Sequence, residues 1–294
     1  MANYDPKIYS GSPLNFDYSR LQEEVPEKNL ARYAQSLRQR YAHRAAMWNR
    51  GMNTEWMLRE YSSMKLLFAA DLMLSSAEYA SEMNVRLAEP YLIYYGLFNA
   101  ARAVVMWLPE QPWDNGILLR ISHRKVRNVL IDCVRYFDKG LADRLNDIVT
   151  RARAYRELFS YRFPMRGIKA VAENAFESVS VDEAVEIATL LGEIAQWHSE
   201  VLDSALSKRV TNPIGFDERM ADQVSVHGNV MEHPVFDEDD HYRINQMMRR
   251  ETRPRDIYGI MREGMTEDFY ASWEAQSPTG EEFSPQWSLI YPFR

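Results

Sequence analysis

Tyr91 to Leu108, YLIYYGLFNAARAVVMWL, is the stretch that decides the fold. Its 18 residues are apolar nearly all round, broken only by Gly96, Asn99 and Arg102. A helix of that composition leaves no face for water, so other elements must cover it on every side. Arg102 and Asn99 in its interior favour a buried core helix over a membrane span. Pro90 fits its first turn, and Pro109, Pro112 and Asp114-Asn115-Gly116 form the loop after it.

The segments on either side carry helical periodicity. Upstream, helix formers dominate from Ser19 to Trp48, with Pro26 the one interruption. Asn53 or Thr54 is expected to cap a long helix to about Met83, with the stripe Met57, Tyr61, Met64, Phe68 and Leu72. Downstream, Ser122 caps a helix through roughly Phe137. The next helix follows Gly140 with the stripe Leu141, Leu145, Ile148, Ala152, Tyr155, Phe159, and Pro164 marks its end. Ser180 and Glu183 form a capping-box pattern ahead of a helix to about Leu206. Short connections between five or six such helices predict an all-α, up-down bundle over residues 20–210.

The ends read differently. Residues 1–19 are polar with scattered Tyr and Pro, and are expected to form an extended arm. Residues 211–294 lose the helical period, and only Tyr242 to Arg250 reads weakly as helix. This extension is expected to be mostly irregular, with an aromatic tail packing on the bundle or, through 270–294, on a protein partner. Trp273, Phe283, Trp287, Ile290 and Tyr291 are too many large apolar groups for a solvated tail.

Charge divides the chain along the same line. Residues 1–210 hold 27 Lys and Arg against 26 Asp and Glu, whereas residues 211–294 hold 8 against 16. Within the first part, residues 120–170 carry 13 basic and 5 acidic side chains, a surface suited to an anionic partner. A single Cys excludes a disulfide framework and a Cys-rich zinc module, and fits a reducing compartment. Cys133 reads as helix packing. The first thirty residues hold no apolar run, so no signal peptide or membrane segment is expected there, and a soluble, cytoplasmic protein is. P-loop, GxGxxG, HExxH and CxxC patterns are all missing, and no cofactor is expected.

Tyr94-Tyr95-Gly96-Leu97-Phe98-Asn99-Ala100-Ala101-Arg102-Ala103 resembles the central helix of HEPN-superfamily bundles. Ser122-His123-Arg124-Lys125-Val126 is similar to a helix start in that family, and Arg156-Glu157-Leu158-Phe159-Ser160-Tyr161 to its RxxaDY segment. The helix after Ser180 resembles its last, Ala-rich helix, so the likeness spans roughly residues 54–206. The resemblance implies a helical bundle, often a homodimer, in RNA-cleaving or RNA-binding proteins of prokaryotic defence and stress systems such as toxin–antitoxin pairs. It also implies a metal-free ribonuclease-like site built on an R-x4–6-H motif. In this chain four residues follow Arg156 and the next is Tyr161, not His, while Asn99 stands where many relatives have His. The expectation is therefore an RNA-binding protein with weak or no ribonuclease activity. The alternative is a non-catalytic helical module that dimerises or docks a partner.

Metal-free RNA cleavage needs proton transfer near neutrality, which suits His, and positive charge on the phosphorane, which suits Arg. Arg156, Tyr161 and His123 are the candidate catalytic residues. His123 stands among Arg120, Arg124, Lys125 and Arg127. On a helical wheel Arg144, Arg151 and Arg162 share one flank, the candidate phosphate-binding edge, with Arg156 on the other. His198 lies on the apolar stripe of the last helix and reads as a hydrogen-bonded core residue. Arg38 and His43 do form R-x4-H, but about 1.7 such matches are expected by chance in this composition. His227, His233 and His241 beside Asp237 to Asp240 match no metal-binding spacing and read as a surface loop.

Overall fold

The computed structural model describes residues 4–13, 15–165, 178–210, 212–220, 236–261, 264–274 and 283–292. These residues form helices and no strand. Two short helices, α1 (Lys7–Ser10) and α2 (Ser19–Glu24), precede α3 (Glu27–Ala46) and α4 (Arg50–Glu82). The bundle continues with α5 (Glu89–Met106), α6 (His123–Phe137), α7 (Lys139–Glu157) and α8 (Val181–Ser207). Beyond it come α9 (Glu238–Arg250), α10 (Ile257–Ile260) and α11 (Met265–Ala271).

The decisive stretch is the centre of the molecule. α5 packs against α4, α6, α7 and α8, and none of its residues is fully exposed. Its closest neighbour is α4, which runs back along it as a helical hairpin. A Cβ at Gly96 would sit 2.8 Å from Leu74 Cγ, so glycine here lets the two helices approach. The stripe of α7 is buried as its spacing requires, from Leu141 through Phe159. Among the described residues no helix is long and apolar enough to cross a membrane.

Helix starts refine the sequence reading. α4 begins one turn earlier than expected, because Asn49 rather than Asn53 or Thr54 caps it, accepting from the Met52 N–H at 3.1 Å. Asn53 is instead buried and donates to the carbonyls of Gly215 and Thr252. Ser180 caps α8 by accepting from the Glu183 N–H, but the Glu183 carboxylate leaves the cap to bind Arg151 of α7 at 2.6 Å. Ser122 and Asp138 cap α6 and α7.

Both ends are more ordered than their composition suggests. The expected extended arm contains α1, and Tyr4, Phe16 and Tyr18 are buried in the common core. Large aromatic rings outweighed the polar background here, since each buries much apolar surface. The acidic run, expected as a loop, is the start of α9. Asp237 and Asp240 form a reciprocal capping box, which moves the start of this helix from Tyr242 to Glu238. His227 and His233 lie outside the described residues. The aromatic tail packs on its own bundle: Phe236, Ile244, Tyr270, Ile290 and Tyr291 belong to the same apolar cluster as α4 and α8.

A seam of buried carboxylates joins these ends to the bundle. Glu193 and Glu200 of α8 bind the N-terminal segment, Glu193 through the N–H groups of Arg20 and Leu21 and Glu200 through the Ser10 hydroxyl. Asp71 of α4 accepts from the Tyr270 hydroxyl at 2.9 Å and the Ile290 N–H at 2.8 Å. Glu60 of α4 accepts from the Arg255 N–H at 2.9 Å. Gln196 of α8 accepts from the Tyr258 N–H and the Tyr291 hydroxyl and donates to Asp256. Burial penalises the ionised form of each acid. It pushes Glu193 up to about 8 and both Asp71 and Glu200 to about 7.

Candidate functional site

His123 is the first residue of α6, one position after the Ser122 cap, and its ring is held from α5. The Tyr94 hydroxyl and His123 Nδ1 are 2.7 Å apart. The Phe98 ring, one turn further along α5, stacks on the imidazole at 3.9 Å between centroids and 12° between planes. The spacing of four puts Tyr94 and Phe98 on one helix face, and their rings are stacked 5° from parallel. Tyr94 fixes the position of Nδ1, so Nε2 is the nitrogen left for other partners.

Arg156 reaches the same tyrosine from α7. Its guanidinium carbon lies 4.9 Å from the centroid of Tyr94 and 5.9 Å from that of Tyr95. Its one ion contact among the described residues is a loose 3.8 Å approach to Glu157, whose carboxylate is taken by Arg153 at 2.7 Å. Arg156 Nε is buried and has no hydrogen-bond partner among the described residues. Its terminal nitrogens also make no hydrogen bond among the described residues, and they are the donors left for a ligand. Arg102 approaches from α5, over Phe98 at 5.6 Å, and donates to the Leu119 carbonyl at 2.6 Å.

These surroundings set the state of the imidazole. Partial burial, then the charges of Arg156, Arg102 and Arg153, hold His123 below its ordinary value. It is neutral at pH 7 and equipped to take a proton. A shallow depression beside it is lined by Tyr94, Phe98, Arg124, Arg127, Val149 and Arg153, an apolar floor with a cationic rim. Arg124, Lys125 and Arg127 make no ion pair among the described residues.

Of the three candidate catalytic residues, the structure brings two together. His123 and Arg156 meet across Tyr94, whereas Tyr161 is 76% exposed with no hydrogen bond or ring contact to either among the described residues. Tyr161 sits in a π turn, Leu158–Arg162, that ends α7. A π turn inserts an extra residue into the helical repeat and so shifts every later side chain round the axis.

The expected phosphate-binding flank is largely committed elsewhere. Arg144 binds Glu24 at 2.6 Å, and Arg151 is shared between Asp147 at 2.8 Å and Glu183 at 2.6 Å. Arg162 is exposed on the π turn. The uncommitted cations lie on the other side of α7, around His123. Tyr94, Phe98 and Arg153 were missed by sequence reasoning. The i,i+4 aromatic pair inside an otherwise aliphatic helix was the available signal.

The remaining histidine and cysteine candidates are structural. His198 is fully buried: its Nδ1–H donates to the Ile194 carbonyl at 2.7 Å, its Nε2 accepts from the Tyr33 hydroxyl at 2.9 Å, and burial depresses it to about 4. Cys133 is buried beside Tyr33, and burial pushes its thiol up to about 11. Among the described residues no three His, Cys, Asp or Glu side chains are placed to hold a metal ion. No family model, curated protein or solved structure matches the chain.

Proposed function

We propose that this chain is an RNA-associated protein that holds the phosphate backbone at the His123–Arg156 corner and cleaves it slowly or not at all. The observation that carries the reading is the pairing across Tyr94 of a neutral imidazole with a guanidinium whose donors are unspent. Arg156 would bind a phosphate oxygen, and Arg124 and Arg127, which make no ion pair among the described residues, would neutralise its neighbours along the strand. The sequence likeness to HEPN bundles supports the same reading, including a role in a prokaryotic defence or stress system and a homodimeric assembly.

The chemistry limits the rate. Attack by a 2′-hydroxyl needs a base, which His123 Nε2 can supply, and charge stabilisation, which Arg156 can supply. Protonating the leaving oxygen needs a second group. Tyr161 stands apart from this corner, and no other imidazole joins His123 among the described residues. The test is binding of a fluorescent single-stranded RNA across a salt series, together with a metal-free cleavage assay. Binding that weakens steeply with salt and drops in Arg156→Ala is expected. Failure to bind at about 50 mM salt would overturn the proposal. So would rapid wild-type cleavage abolished by Arg156→Ala, which would make the corner a full nuclease site.

A further inference from the structure

Away from the residues of the histidine corner, α4, α9 and α11 line an open cavity of about 330 Å³. Met64, Phe68, Met265 and Phe269 give it an apolar wall. Its polar lining is mostly acidic, with Asp237, Asp239, Asp240 and Asp268 against Lys65 and Arg243. The two bases are already used. Lys65 binds Asp240, and Arg243 binds Asp268 at 3.0 Å. Asp240 is further saturated by the Tyr61 hydroxyl at 2.7 Å and by the Asp237 N–H. Asp237 spends its carboxylate on the α9 cap.

What remains is one uncommitted carboxylate and one uncovered indole. Asp239 is exposed and makes no side-chain hydrogen bond or ion pair among the described residues. Trp273 lines the same cavity with 59% of its surface exposed. The cavity walls thus combine excess negative charge with aromatic faces, the pairing that favours a cation of modest hydration. An anion is disfavoured, because the backbone N–H groups at the start of α9 are occupied by the chain's own carboxylates. Lys65 is an internal precedent: its ammonium sits on Asp240 and 5.9 Å from the Phe236 ring centroid.

We infer that this cavity binds an organic cation, an ammonium or guanidinium on an apolar body, with Asp239 taking the charge and Trp273 and Phe269 taking the body. The inference is independent of the RNA reading, which concerns other helices. Calorimetric titration of the full chain with three shape-matched probes tests it: 2-phenylethylammonium, 2-phenylethanol and phenylacetate. The ammonium is expected to bind, and the alcohol and the carboxylate are not. Asp239→Asn and Trp273→Ala should each weaken the ammonium roughly fivefold, the size of one cation–π or exposed charge contact. Both side chains are exposed, so melting curves should match the wild type and show that any loss is local. A capped arginine tripeptide separates the two sources of such a cation. Binding tighter than the free amine assigns the site to a basic protein segment, and weaker binding assigns it to a small amine. Equal binding of the alcohol, preference for phenylacetate, indifference to both variants, or no binding up to about 10 mM would each overturn the inference.

Discussion

The histidine corner and the carboxylate seam place ionisable groups in opposite ways. At the corner, cations outnumber their partners: Arg124, Lys125 and Arg127 are unpaired among the described residues, and the terminal nitrogens of Arg156 make no hydrogen bond there. Along the seam, Glu193, Glu200, Asp71 and Glu60 are buried and aimed at N–H and O–H donors of the terminal segments. The corner leaves capacity unspent, which is what binding an outside ligand requires. The seam spends its capacity inside the chain, apart from Glu60 Oε2, which is buried without a partner among the described residues, and that is what fixing a segment requires. A charged side chain therefore speaks of function only once its partners are counted.

The largest expected effect breaks the seam. Tyr291 is 1% exposed, packs 3.3 Å from the position a Cβ would take on Gly192, and donates to Gln196. Tyr291→Ala should cost about 3 kcal/mol in urea denaturation, from lost packing and one lost buried hydrogen bond to Gln196. Removing His123 instead should cost no more than about 1 kcal/mol, because the residue is largely exposed and gives up one hydrogen bond and one ring contact. Equal losses would erase the contrast between the two regions.

Next in size is a pH effect confined to the seam. Glu193, Asp71 and Glu200 are raised in the folded state to about 8, 7 and 7. Such groups hold their proton more tightly when folded, so stability falls as pH rises from the ordinary carboxylate range through 8. His198, depressed to about 4, works in the other direction, but only below its ordinary value of 6.5. The melting temperature should therefore fall between about pH 7 and 8.5, where the unfolded-state imidazole is mostly neutral and the opposing effect of His198 fades. Glu193→Gln should flatten that fall, and a wild-type profile flat over this window would remove the basis for it.

The smaller effects sharpen the corner. Neutralising Arg124 and Arg127 together should lower the salt slope of single-stranded RNA binding by up to about two units. Arg144→Gln, whose partner is Glu24, should change that slope little. The opposite ranking would return phosphate binding to the flank that the helical wheel first suggested.

How much of this was legible follows from distance along the chain. The α7 stripe and the central place of α5 rest on local periodicity and read directly, whereas of the capping box expected ahead of α8 only the Ser180 half formed. Glu193, Gln196 and Glu200 look on a wheel like a solvated edge of α8. Their partners lie 60 to 190 residues away, so nothing local marks them as buried. The corner was half legible. His123 and Arg156 stood out as residue types, but their meeting depends on α6 and α7 both crossing α5 at Tyr94. Tyr161 was the misleading member, since helical phase carries no further than the π turn. The acidic run misled too, because a capping box and a solvated loop draw on the same residues.

The seam also sets an order in time. Gln196 sits in α8 but completes its bonds only with Asp256, Tyr258 and Tyr291. Synthesis delivers α4 and α8 long before those partners. A nascent chain that ends before residue 255 therefore leaves Glu60 and Asp71 without their partners and the apolar neighbours of that side uncovered. Closing that side takes up protons from solvent, so the last step of maturation is itself acid-favoured and waits for residue 291.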